Sequence, residues 1–357
     1  MDIFAEIKAI KYKPLLCKSL KEVLYNSFSS ALSKKANFIL GIDNTNKLAV
    51  SWWVSAKRTR SYPYARVYDT LEFSGKKLTI IPLMKDEGKA GDRDFLQWDT
   101  ISLMSLLGVY TIISYYKTAE RSKRYRHKIT SQRFDLKHLE AEIAHLLSYQ
   151  SDALHWNLEQ TDKAGVIGEK ALDSYAHISK KLKVEMHSMK TATTRINKLL
   201  EGKTTFMELS RQLAHEAQMR ESLTIQPKEK LIGNKATLTI KNYLGGYYFF
   251  TCDEANIKGN ILYLVEGKHS KNSMIPSLED IKDGLLKMIL FTNLCNVMVS
   301  KKKYTSVPVL KLTSDIEFSK TSLRKSQVEH LQLLNNEAKE NKFSVSINNR
   351  NLNDVIL

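Results

Sequence analysis

The sequence predicts a mixed α/β chain on three observations. Short apolar runs bounded by turn residues crowd both ends of the chain. Leucines and isoleucines recur at helical spacing through the middle. The composition, 43% hydrophobic and 26% charged with only 14 Gly and 6 Pro in 357 residues, suits long regular elements around a sizeable core. Disordered, collagen-like and linker-like classes are thereby excluded. The length suits two domains, and the pattern divides the chain into an N-terminal α/β region over 1–130, a helical region over 131–222 and a second α/β region over 223–357.

Residues 1–35 read as helical, with Leu15, Leu16, Leu20, Val23 and Leu24 at helical intervals. Strand-rich runs at 38–42 and 48–54 flank Asp43-Asn44-Thr45-Asn46, which reads as a hairpin. Two more strands are expected over 65–71 and 78–83, separated by Ser74-Gly75. Asp92 and Asp94 read as an acidic helix start ahead of Leu96, Ile101, Met104 and Leu107, and 109–115 returns to strand composition. From Phe134 to Ser222 helices dominate: Leu136, Leu139, Ile143, Leu146 and Leu147 make one stripe, and further helices are expected over 167–186 and 204–221. Runs at 238–240, 247–251 and 261–265, with turns at Gly245-Gly246 and Lys258-Gly259-Asn260, predict a three-stranded meander. Pro276-Ser277 then opens an amphipathic helix carrying Leu278, Ile281, Leu285, Met288 and Ile289. A strand at 307–312, a helix over 324–340 and a short strand at 343–347 complete the chain.

A net charge of +17 points to a polyanionic partner, because neutralising phosphates releases counterions. Nucleic acid leads, ahead of an anionic membrane surface. Cys17, Cys252 and Cys295 are odd in number and far apart, so neither a disulfide framework nor a zinc pattern is expected. That usage suits a reducing, intracellular, cytoplasmic setting. The first residues carry early acids and no apolar signal core. The longest stretch without charge, Thr100 to Tyr116, is too short to span a bilayer and contains Gly108, so no membrane partner is expected. No Walker-type glycine loop is present, so no nucleotide cofactor is expected.

The chemistry concentrates in Asp253, Glu266 and Lys268. Side chains alternate along a strand, so Glu266 and Lys268 share a face while Gly267 points away. Asp253 comes from the neighbouring strand, and the turn between them lets the two carboxylates converge at one end of the sheet. Such oxygen donors suit Mg²⁺, which keeps waters that can act as nucleophile. Lys268 beside that water and a scissile phosphate can assist both. A solvated ion pair between Glu266 and Lys268 at a strand end is the plainer alternative.

The order of strand with Asp253, strand with Glu266-Gly267-Lys268, amphipathic helix and strand resembles the core of the PD-(D/E)xK nuclease superfamily, with Cys252 where a proline usually precedes the first acid. The stretch from 218 to 312, including Gln226-Pro227-Lys228, Glu266-Gly267-Lys268-His269-Ser270 and Asp280-Ile281-Lys282-Asp283-Gly284-Leu285-Leu286-Lys287, is similar to type II restriction endonucleases. The resemblance implies a nuclease core over 223–357, Mg²⁺ as cofactor, double-stranded DNA as substrate and a homodimer. It also implies an auxiliary metal-orienting acid, for which Glu221 is the candidate, with an exposed helix-terminal acid as the alternative. Lys228, Lys271 and Lys282 are assigned to DNA contact. A repair or recombination nuclease that reads DNA structure, and a non-catalytic DNA-binding protein, are the competing functions.

In the N-terminal region Lys57, Arg58, Arg60 and Arg66, interleaved with Trp52, Trp53, Tyr62 and Tyr64, suit a DNA surface, with a solvated basic loop as the alternative. Lys117, Arg121, Lys123, Arg124, Arg126 and Lys128 form a denser run, read either as a second such surface or as a basic connector. His269 is expected to pack. His138, Glu142 and His145 share a helical flank but lack a fourth zinc ligand. Asp69 and Lys85 imitate the nuclease order, with Leu83 where its Glu would stand; coincidence with helix capping leads, and a nuclease-like fold that has lost its site but kept DNA contact, or a separate cation site of Asp86, Glu87, Asp92 and Asp94, are the alternatives.

Overall fold

The computed structural model describes residues 1–356 apart from 44, 57–60, 202–203, 206–207, 209–210, 213–214, 217–218, 220–233 and 244–245. The chain forms two units, Leu20–Ser210 and a second one built from Met1–Ser19 with Arg211–Leu357. Where the sequence divides into three regions, the first two therefore share a unit, and the first strand leaves them for the C-terminal one. That strand, β1 (Asp2–Ile7), buries Ile3, Ala5 and Ile7 in alternation. This is period-two burial where the leucine spacing predicts a helix. The expected helix over 1–35 shrinks to α1 (Phe28–Lys34). Pro14 disfavours helix before it, and the extended backbone nearby is satisfied by side chains instead. The Asn293 amide bonds both the N–H and the C=O of Lys11, and Asn341 does the same for Lys13. Buried Glu337 accepts from the Leu15 and Leu16 amides and from the Tyr12 hydroxyl.

In the Leu20–Ser210 unit, β2 (Glu22–Leu24), β3 (Asn37–Gly41), β4 (Lys47–Trp52), β5 (Lys77–Pro82) and β8 (Val109–Ser114) form one sheet in that order. β3 and β4 make the expected antiparallel hairpin, and the other neighbours are parallel. The strand expected over 65–71 is instead part of α2 (Ser61–Tyr68), with Pro63 in its first turn, a position where the missing N–H is harmless. Asp92 and Asp94 do not start a helix: β6 (Met84–Asp86) pairs with β7 (Arg93–Phe95), and α3 (Trp98–Leu106) begins after them. β9 (Tyr116–Arg121) and β10 (Ile129–Phe134) form a separate two-stranded ribbon. The helical region holds α4 (Leu136–Ser148), α5 (Ala153–Asp162), α6 (Ala164–Leu182) and α7 (Met189–Leu200). α6 stops short of 186 because Lys183 takes a left-handed backbone, φ 51°. Much of the helix expected over 204–221 lies outside the described residues.

The C-terminal unit holds β11 (Asn234–Asn242), β12 (Tyr247–Lys258), β13 (Ile261–Ser270), α8 (Leu278–Phe291), β14 (Leu294–Val299), β15 (Lys302–Lys303), β16 (Thr305–Ser314), α9 (Lys325–Asn341), β17 (Ser344–Ile347), β18 (Arg350–Asn351) and α10 (Leu352–Ile356). Its strands make a mixed nine-stranded sheet in the order β15-β14-β1-β11-β12-β13-β16-β17-β18. The predicted meander is β11-β12-β13, and α8 with β14 lies in the connection that returns the chain parallel to β13 as β16. β14, which the sequence reading lacks, is mostly half-exposed and offers little hydrophobic period.

Candidate active site

β12 and β13 turn about Gly259, whose φ of +61° suits a residue without Cβ. Their ladder runs from Lys258 opposite Ile261 to Glu254 opposite Val265. Asp253 and Glu266 are the next facing positions, and there the strands part. β13 continues beside β16 as far as Ser270, while β12 shifts register against β11 between Ala255 and Cys252. The extra residue of that bulge lies at Asp253-Glu254, and bulges re-aim side chains at such points. The Gly267 amide turns to Asp253 and donates to Oδ2 at 2.8 Å. Cys252 is buried, and its Sγ lies 3.1 Å from the Glu254 carbonyl and 3.3 Å from that of Val265.

Glu266 and Lys268 share a face, as alternation predicts, and α8 covers it. The Lys268 ammonium lies 2.9 Å from Glu266 Oε1 and also bonds Asp283. Lys287, one helical turn after Asp283, donates to Glu266 Oε2 at 2.7 Å. The approach depends on Gly284: a Cβ there would stand 2.6 Å from Leu310 Cδ1 and 3.3 Å from Lys268 Cε. A mid-helix glycine is unfavourable by about 1 kcal/mol relative to alanine, and close approach is its reason here. α8 is started by Ser277, whose Oγ accepts the Asp280 amide at 3.2 Å, with Glu279 and Asp280 in the positive first turn.

Only 1% of the Glu266 side chain is exposed. Burial alone would raise its pKa, but Lys287 and Lys268 outweigh that and hold it at about 2. Burial pulls Lys268 down, yet Glu266 and Asp283 hold it raised. Lys287 is raised well above its ordinary value by Glu266 and Asp253 against the same desolvation. Burial pushes Asp283 up despite the Lys268 ammonium, so it is the acid of this cluster most ready to protonate. The cluster is two carboxylates and two ammonium groups on one buried face, with Asp253 at its edge. Comparison of the chain with protein-family models, curated proteins and solved structures finds no match.

Asp253 and Glu266 supply hard oxygen donors of the type Mg²⁺ takes, one or two carboxylates completed by water and phosphate oxygens. Both Glu266 oxygens carry an ammonium partner, so one lysine must yield to a cation there. Among the described residues no group of three or more His, Cys, Asp or Glu is placed to hold a metal. Glu221, the candidate for an auxiliary metal-orienting acid, lies outside the described residues, as do Lys57, Arg58, Arg60 and Lys228.

The remaining sequence candidates divide. Lys271 is exposed in the connection after β13. Lys282, assigned to DNA contact, is 3% exposed and buried in α8, which removes it from the surface that role needs. Arg66 lies over the Trp52 and Tyr62 rings at 4.7 and 4.8 Å and donates to the Trp52 carbonyl, fastening α2 to β4. Trp53 and Tyr64 pack edge to face in the core, where stacking on a base is closed to them. His269 packs as expected, 3.0 Å from Thr313 Oγ1. His138 bonds the Ile113 carbonyl and Glu142 pairs with Lys163, so their flank is structural. In the imitation of the nuclease order, Asp69 takes the Asn37 amide, buried Asp86 takes the Gly88 amide and His187, and Glu87 takes Lys85 and Lys128.

The sequence reading missed Asp283 and Lys287. Their signal was an acid and a base one turn apart around a glycine on an otherwise apolar helix, all within a string already singled out for other reasons.

Proposed function

We propose that the chain is a Mg²⁺-dependent endonuclease of restriction type, hydrolysing phosphodiester bonds of double-stranded DNA at a specific sequence and acting as a cytoplasmic homodimer on a PD-(D/E)xK core. One observation carries the reading: Asp253 and Glu266 stand one step past the last paired residues of β12 and β13, with Lys268 two residues on and bonded to Glu266. The +17 charge supplies affinity for the polyanion. No helix among the described residues is long and apolar enough to cross a membrane.

In this reading Asp253 and Glu266 would hold the cation, which would supply a water of lowered pKa and charge to offset the phosphate. The Gly267 amide orients Asp253. Lys268, kept protonated by Glu266 and Asp283, offers its ammonium to the phosphate oxygens as charge develops. Asp283 sets the position of that ammonium from the helix side, and Lys287 balances the charge of Glu266. Two copies related by a two-fold axis match a two-fold symmetric site and cut both strands.

The test is incubation of the purified chain with a plasmid of known sequence and Mg²⁺, followed by sequencing of the ends. Discrete ends at one sequence support the reading, and structure-dependent ends favour a repair nuclease. The absence of cutting under any divalent metal, with DNA still bound, favours a non-catalytic DNA-binding protein. That second reading has an observation of its own, the occupation of both Glu266 oxygens by lysines.

A further inference from the structure

We infer that the β9–β10 ribbon, Tyr116–Phe134, is a DNA-gripping arm whose tip binds the phosphate backbone of a duplex. The inference takes its ligand from the nuclease reading but stands on separate residues.

The base of the arm is rigidly held. The Tyr116 hydroxyl donates to the Val54 carbonyl, its ring stacks on Phe134 at 4.5 Å, and Tyr175 donates to Gln132 Oε1. The tip is braced as well: the Ser122 amide donates to the Lys128 carbonyl, and Ser122 Oγ accepts the amides of Arg124 and Tyr125. The basic run is thus a preformed ribbon where a loose connector was an open reading.

Charge then singles out the tip. Lys117, Lys128 and Arg133 have acidic partners in Asp135, Glu87 and Glu120. Arg121, Lys123, Arg124 and Arg126 are exposed, and among the described residues none of them has an acidic partner. No acid occurs in the sequence between Glu120 and Asp135. Four cations without acidic partners on one ordered turn concentrate positive potential there, which favours a polyanion through counterion release. Tyr125, 58% exposed, is the one large apolar side chain at the tip, too little apolar area for an element that inserts into lipid. A two-stranded ribbon matches the width of the DNA major groove, whose rims are two rows of phosphates.

The experiment titrates the full chain onto labelled duplex DNA of about 30 base pairs, with EDTA present, between about 50 and 200 mM salt. R121Q/K123Q/R124Q/R126Q should lower the slope of log affinity against log salt by roughly 2 to 4, and Arg124→Gln alone by about 0.9. Replacing Arg121, Arg124 and Arg126 by lysine should leave the slope unchanged. A thermal melt checks that the fourfold variant is folded, and Arg124→Gln decides the matter if it is not. An unchanged slope in the glutamine variants overturns the arm. So does a slope unaltered on DNA with loss of binding to vesicles of phosphatidylserine and phosphatidylcholine. Because binding is read without divalent metal, wild type that binds through the arm and never cuts removes the nuclease reading alone. Wild type that cuts while the fourfold variant binds normally removes the arm alone.

Discussion

The Gly267 amide donates to Asp253 Oδ2 at 2.8 Å, so the backbone between Glu266 and Lys268 itself holds the first acid of the site. Asp253→Asn keeps an oxygen for that bond while removing the charge that a cation needs. DNA binding in Ca²⁺ should be retained and folding stability should change by less than about 1 kcal/mol. Mg²⁺-dependent cleavage should fall by at least about a hundredfold, near 2.7 kcal/mol. Glu266→Gln should behave likewise in cleavage, and wild-type rates from either variant would remove both acids from the chemistry.

Lys268 occupies a gap that Gly284 leaves, with both an acid on its own strand and one on α8 in reach. A guanidinium is broader than an ammonium and does not fit the gap that holds the compact Lys268 head group. Lys268→Arg and Lys268→Ala should both lose most of the cleavage rate, compared at saturating DNA and metal so that weakened binding does not imitate a chemical defect. Normal cutting by Lys268→Ala would reduce the cluster to a structural ion network.

Gly284→Ala separates position from charge. Alanine favours the helix by about 1 kcal/mol, which offsets part of its collision with Leu310, so the melting temperature should move little. Cleavage should still fall several-fold because Lys268 Cε must shift.

The acid Glu266, held at about 2, links this site to acid stability. A carboxyl depressed in the folded state stabilises above its unfolded value, about 4.3, and that contribution is lost as pH falls from there toward 2. Lys287→Met removes one of the two ammonium groups holding Glu266 down, so its pKa rises. Urea midpoints measured against pH should show a smaller acid-side decline in the variant, beginning at the same pH and ending at a higher one. Stability at neutral pH should drop by roughly 1–3 kcal/mol, since Lys268 still answers the charge. Superimposable profiles would show that Lys287 does not set the Glu266 charge.

Glu337 offers a test away from the site. Glu337→Ala leaves the buried Leu16 amide, the Leu15 amide and the Tyr12 hydroxyl without their acceptor, which should cost about 2–4 kcal/mol in urea unfolding. A loss below about 1 kcal/mol would mean that the segment before β2 is held by its packing alone.

What could be read beforehand follows from range. Asp253, Glu266 and Lys268 were legible because a hairpin and a two-residue period are local properties, and both survive folding. Asp283 and Lys287 come from a helix whose register on the sheet is a tertiary matter. β1 escaped because its partners β11 and β14 lie more than two hundred residues away, and its six residues give only three buried positions of alternation. Trp53 and Tyr64 show that aromatic residues among arginines can equally be core. Their sequence neighbourhood is the same in either case.

The position of β1 between β11 and β14 also governs when the C-terminal unit can form. During synthesis β1 is made long before its partners, with the unit Leu20–Ser210 between them. The surroundings of β1 in the nine-stranded sheet are complete only after the polypeptide has delivered β14, by which time Asp253, Glu266, Lys268, Asp283 and Lys287 have all been made. A chain interrupted before residue 294 lacks the strand that flanks β1 on its outer side, leaving that edge of β1 unpaired. Closure of this sheet has high contact order and should be the slow step of folding.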